Sequence, residues 1–255
     1  MRFVHISEKP ITNLDRMKRG DYMFIIDFFL DIANYFIKHI DKISTYTFEH
    51  FVLIIIAIIL SLVIWLTVGI AIRNNLGLAK GVLGIGSFIM SVPSIALYGI
   101  LVSVPGFGLS RRSAVFGLIL YAMLPIVRNV YVSLNQVDEN VMEAAKGMGL
   151  STRQVLFKVQ LPLAMPVILA GIRVALVMMV GIATLAVYIG ERNLGSLIQQ
   201  GIVRTYDDMI IVGAILVSVM AFLVDYIMGK VQKAIVSPGL ITDTTDSSTS
   251  KREVA

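Results

Sequence analysis

Residues able to do chemistry are sparse in this chain. None of its 255 residues is cysteine, so thiolate nucleophiles, disulfides and cysteine metal sites do not arise. The three histidines, His5, His39 and His50, stand apart near the N-terminus, without metal-ligand spacing. No Gly-x4-Gly-Lys-Ser/Thr phosphate loop, Gly-x-Ser-x-Gly elbow or His-Glu-x-x-His zinc motif occurs. What stands out instead is a polar, patterned stretch, EAAKGMGLSTRQVLFKVQLP (residues 143–162), set among long apolar runs. Asp138 is placed to cap a helix, with Glu139 supplying negative charge in its first turn. Val141, Ala144, Ala145 and Met148 recur at helical spacing as one narrow apolar stripe. Gly149 suits the left-handed conformation that stops a helix. Ser151 and Gln154 have the form of a capping box, and Leu161-Pro162 predicts the end of the second helix. The expectation is two short helices with a corner at Gly149. A helix of about ten residues is about 15 Å long and cannot span a bilayer. Two uses fit the stripe equally: docking into a groove on another protein, or lying flat on a membrane.

The elements that must position this stretch follow from composition. The chain is 56% hydrophobic and 15% charged, with mean hydropathy +0.81. Soluble domains are about 45–50% apolar and about 25% charged, so the chain is expected to be an integral membrane protein, all-α and multi-pass. A net charge of +5 fits contact with anionic lipid and needs no nucleic acid. A crossing helix needs about 20 mostly apolar residues. Residues 51–72 are the clearest span. The uncharged run 81–110 predicts a helix over 81–104, followed by a turn at VPGFG. Runs 113–127, 166–190 and 209–224 complete five spans, the first extending past Arg128, the second including Arg173, the third passing Asp225. These three charged residues are expected near span ends, reaching the interface, with no carboxylate at mid-membrane. Residues 1–45 read as an N-terminal extension in which residues 23–40 form an amphipathic helix in the interface; Met23 is an alternative start to Met1. Residues 46–236 form the transmembrane part, and 237–255 a disordered polar tail. Neither a secretory signal nor a second domain is expected.

Cytoplasmic loops carry excess Lys and Arg. Arg73 and Lys80, then Arg128, Lys146, Arg153 and Lys158, then Lys230 and Lys233 place residues 128–165 and the C-terminus inside, and the N-terminus outside if there are five crossings. Arg111, Arg112 and the basic cluster at residues 16–19 then fall outside, against the rule. A sixth crossing by residues 23–40 would move the N-terminus inside.

The pattern Glu-Ala-Ala, three residues, Gly, nine residues, Val-x-Leu-Pro resembles the signature of permease subunits of bacterial ABC importers, with Val159 where the family has Ile. Further stretches narrow the resemblance to osmoprotectant permeases. They are TFEHFVLIIIAI (47–58), SVPSIALYGIL (91–101), YAMLPIVRNVYVSLNQVD (121–138), LPLAMPVILAGIR (161–173) and GIATLAVYIG (181–190). Coverage runs from about residue 46 to 240. One departure is GERNLGSLI (190–198), where the family has a glycine-rich turn; Glu191, Arg192 and Asn193 are expected to stiffen it.

The resemblance implies a five-helix type I importer permease core in a bacterial cytoplasmic membrane. It implies that residues 143–150 are a coupling helix seated in a cytoplasmic ATPase, with Glu143, Ala144, Ala145, Gly149, Leu150 and Pro162 as coupling residues. This chain would hold no cofactor and would not be an enzyme; ATP and Mg would bind the partner ATPase. The other implied partners are a second permease copy or paralogue and an extracytoplasmic solute-binding protein. Gly81, Gly84, Gly86, Gly171, Gly181 and Ala183 are candidates for close helix approach between copies or within one. Trp65, Tyr98, Tyr121 and Tyr188 are candidates to line the path, because a quaternary ammonium group is held over aromatic faces. The implied solute is glycine betaine, carnitine or choline, and few acids in the spans favour a solute carrying its own counter-charge. The rival within the family is import of amino acids such as methionine; rivals outside it are a membrane scaffold and an intramembrane enzyme.

Overall fold

The structure is a computed structural model that describes residues 21–235. The basic cluster at 16–19, His5 and the tail 237–255 lie outside the described residues. Regular structure in the described part is helical. That is what a bilayer demands, because a helix satisfies its backbone polar groups internally.

Helix α1 (Asp21–Lys38) packs chiefly against the last long helix. Its Tyr35 is 5% exposed, stacked on His39 and edge-on to Tyr206. Helix α2 (Ile40–Ala71) starts ahead of residue 46. Its 32 residues make a rod of about 48 Å, longer than the hydrocarbon core of about 30 Å. Its N-terminal turns therefore stand beyond the apolar slab.

The next span is broken, against the single helix expected over 81–104. Helix α3 (Leu76–Ser91) and helix α4 (Ser94–Ser103) meet at 102°. The cause is Pro93, which has no N–H and forces Val92 into an extended conformation, φ −74° and ψ 130°. The Tyr121 hydroxyl donates to the Val92 carbonyl at 2.5 Å and holds the bend. The turn at VPGFG forms as expected, with positive φ at Gly106 and Gly108.

Helix α5 (Arg111–Asn135) is the hub, packed against α2, α3 and the span after the loop. Helices α6 (Glu139–Gly147) and α7 (Thr152–Val155) follow. Here a second expectation fails: Leu161-Pro162 does not end the helix. A π turn (Leu156–Gln160) runs straight into α8 (Leu161–Ala183). The Leu161 N–H bonds Leu156 O, one residue further back than in an α-helix. That widened turn takes the proline's missing donor without a break. A 3-10 turn (Thr184–Ile189) closes the span and Gly190, at φ 85°, reverses it. Helices α9 (Gly195–Arg204) and α10 (Asp207–Ile235) form a final hairpin through Thr205 at φ 52°. In all, four helices are long and apolar enough to cross, plus the bent α3–α4 pair.

Candidate functional site

The polar loop folds largely as its sequence dictates. The Asp138 carboxylate accepts from the Asn140 N–H at 2.8 Å and caps α6. Gly149 has φ 82°, which an L side chain resists. The capping box is complete: the Ser151 N–H donates to Gln154 Oε1 at 2.8 Å, and the Gln154 N–H to Ser151 Oγ at 3.4 Å. The apolar stripe is divided, however. Ala145 is 2% exposed and turned into its own protein, whereas Val141, Ala144 and Met148 face outward. Glu143, Gly149 and Pro162 are exposed and Leu150 half-buried. Five of the six coupling candidates therefore stay accessible, and Ala145 anchors the helix beneath them. The Gln160 side chain donates to Leu134 O at 2.7 Å, satisfying a carbonyl orphaned at the end of α5. The loop is thus tied to two spans rather than hanging from them.

At the opposite end Arg111 bridges two acids from separate elements. It pairs with Glu49 on α2, and its Nε donates to Glu191 Oε1 at 2.6 Å. Glu191 is 6% exposed. The arginine that breaks the inside–outside charge count is therefore neutralised where it stands. The next residue after Glu49, His50, is fully buried and its Nε2 lies 3.2 Å from Val180 O. That carbonyl is available because the Thr184 N–H bonds Gly181 O, as the helix tightens. The 190–198 turn is stiff, as its sequence suggests. Asn193 donates from Nδ2 to Ala183 O at 2.8 Å and accepts from the Gly195 N–H at 2.7 Å. A Cβ on Gly195 would lie 2.1 Å from Thr184 O. Sequence reasoning missed the Glu49–Arg111–Glu191 cluster; the signal was a basic residue on the wrong side of the charge count.

Within the spans, Arg173 and Asp225 pair with each other. Arg173 Nε and Nη2 donate to Asp225 Oδ1 and Oδ2 at 2.5 and 2.6 Å, linking α8 to α10. Asp225 is thus paired where it stands, five residues before Lys230. Arg128 alone of the three is simply exposed. The aromatic candidates divide. Tyr98 is 1% exposed and packed on Gly117. Tyr121 is buried and holds the α3–α4 bend, and Trp65, half-buried, donates to Ile119 O at 2.7 Å. Tyr188 alone presents its ring, lining a shallow concavity with Thr184, Gly195, Gln199 and Ile202. The small residues divide too. Gly171 meets Pro125 O and Asn129 of the same chain, Gly86 meets Leu124 and Ala183 is fully buried, whereas Gly81, Gly84 and Gly181 face open space.

Five crossings, a bent second span, and an exposed capped helix between the third and fourth define the architecture of an ABC importer permease. The solved structure of the MetNI methionine ABC transporter in inward-facing conformations matches with TM-score 0.70 at 21% identity, over 78% of this chain and 99% of that one. An amino acid ABC transporter crystallised with histidines matches with TM-score 0.66 at 15% identity, over 78% and 97%. The chain belongs to the family of binding-protein-dependent transport system inner membrane components, whose model matches residues 64–237. It is 33% identical to the osmoprotectant import permease protein OsmW of Salmonella typhimurium, over 83% of this chain and all of that one. It is also 33% identical to the carnitine transport permease protein OpuCB of Listeria monocytogenes, over 79% and 91%. The choline transport system permease protein OpuBB of Bacillus subtilis matches at 33% over 76% and 88%.

Proposed function

We propose that this chain is the membrane-spanning subunit of an ATP-driven importer that brings a compatible solute, glycine betaine, carnitine or choline, into the cell. The observation that carries the coupling role is α6 itself: a capped helix, exposed on one side, anchored through Ala145 on the other, and turned sharply at Gly149. The hydrolysis belongs to a partner, since this sequence has no phosphate loop. A cytoplasmic ATPase holding ATP and Mg receives Glu143, Ala144, Gly149 and Leu150, and so the α6 end of the bundle faces the cytoplasm. A second permease copy or paralogue completes the path, and an extracytoplasmic binding protein delivers solute at the end held by Arg111. In this reading α1 lies along the membrane interface.

Mechanically, closure of two ATPases displaces α6, and the Gln160–Leu134 bond with the unbroken π-to-α8 run passes that displacement into the spans. Solute sees one side or the other as the equilibrium between states shifts. The osmoprotectant reading rests on relatives at 33% identity over most of the chain, and the methionine reading on likeness of fold at 21%. The test is purification in mild detergent. An ATPase should accompany the chain, and its hydrolysis should rise when binding protein and glycine betaine are added together. A chain that purifies without an ATPase would be a scaffold or an enzyme instead.

A further inference from the structure

We propose that the Arg173–Asp225 pair is a solute-binding site on the translocation path, one that takes zwitterions carrying a carboxylate and a quaternary ammonium group. The proposal rests on the importer reading above and adds to it a place and a chemistry.

Position comes first. Arg173 stands twelve residues beyond Leu161, about 18 Å along the helix axis, and Asp225 five residues before Lys230, about 7.5 Å. Both lie within helices long and apolar enough to cross a membrane. The pair is nonetheless open at the surface of the chain: the two side chains are 36% and 41% exposed. Charged groups within a span face a protein neighbour or a water-filled cavity, not lipid. The exposed face of α8 continues past the pair. Val167, Val174, Gly181 and Tyr188 recur every seven residues and are all exposed, so one stripe runs from the loop end past Arg173 to the ring of Tyr188. Gly181 leaves that stripe flat, with nothing within 4 Å of where a Cβ would stand. Apolar, shallow and continuous, it has the character of a path wall.

The chemistry follows from what the pair leaves unspent. Arg173 gives two N–H groups to Asp225 and makes no other hydrogen bond among the described residues, so its remaining donors are free for a second carboxylate. Gly229 lies beside the guanidinium, where a Cβ would stand 3.5 Å from Nη1, in ordinary contact. The ionised Asp225 retains outward lone pairs and charge for a cation that cannot donate hydrogen bonds. A short zwitterion lies antiparallel to the pair, carboxylate to Arg173 and ammonium to Asp225, without breaking it. Two opposed unit charges also explain passage: the site has no net charge and releases a neutral solute readily, whereas a lone acid would retain a cation.

The experiment uses the whole importer in proteoliposomes and the absence of native cysteine. Val174→Cys puts a thiol on the exposed stripe beside the pair and leaves the pair intact. It should react with a hydrophilic charged thiol reagent, and saturating glycine betaine should slow labelling at least fivefold, choline less. In the same vesicles Arg173→Gln should raise the choline-to-betaine uptake ratio about tenfold, and Asp225→Asn should lower it. A thiol that stays unlabelled, labelling indifferent to every solute, or variants that lose all uptake in proportion would each overturn the site and leave a structural staple. Wild-type vesicles that take up none of the three osmoprotectants would overturn the osmoprotectant reading on which the site rests.

Discussion

In the proposed coupling role, Gly149 is the residue on which the loop turns. At φ 82° a β-branched side chain costs about 1–2 kcal/mol or more. Because the corner is exposed, that strain falls on the loop and leaves the bundle untouched. Gly149→Val should therefore insert and assemble at wild-type levels and transport at least tenfold more slowly. Glu143→Lys, exposed near the start of the same helix, should do the same by charge alone; wild-type uptake in both would remove the coupling role. Gly171 is a contrasting case. A Cβ there would sit 2.6–2.7 Å from Asn129 and Pro125 O, where α5 and α8 cross. Gly171→Leu should cost about 1–3 kcal/mol of overpacking and lower the detergent melting temperature by several degrees. Gly181→Leu, with open space around it, should leave melting unchanged.

At the scale of elements, what was legible in the sequence was what depends on neighbours along the chain. Asp138, Gly149, Ser151 and Gln154 set a cap, a corner and a second cap through contacts within a few residues, and all form as read. The two proline effects read wrongly show the limit of such reasoning. Pro93 breaks a span because α4 has α5 to pack on and Tyr121 to catch the freed carbonyl. Pro162 breaks nothing, because a π turn precedes it and Gln160 ties that turn to α5. The same residue type yields opposite outcomes through tertiary contacts that local pattern does not carry. The Arg111 cluster was hidden for the same reason, its members lying 62 and 80 residues apart. Orientation is tested at this scale. A cysteine at exposed Ser151 should react with an impermeant thiol reagent only in inside-out membranes, and one at exposed Arg192 only from outside. Ser196, in the same outer turn, is 4% exposed and would be silent. The reverse pattern would invert the topology.

At the scale of the whole molecule, the importer reading makes a relay of two ends. One end carries α6, bound through Gln160 and the π turn to the spans it would move. The other is held by Arg111 between Glu49 and Glu191 and by the Asn193 network, a rim on which a delivering protein would dock. Between them the proposed path would pass the Arg173–Asp225 ion pair. Such a path would grip weakly, which suits a solute already selected by a separate binding protein and carrying its own counter-charge. The most direct measurement is competition uptake by the reconstituted importer with its ATPase and binding protein, at high osmolarity. Unlabelled glycine betaine or carnitine in excess should abolish entry of labelled betaine, and methionine should leave it unchanged. Uptake of methionine, blocked by methionine alone, would contradict the account.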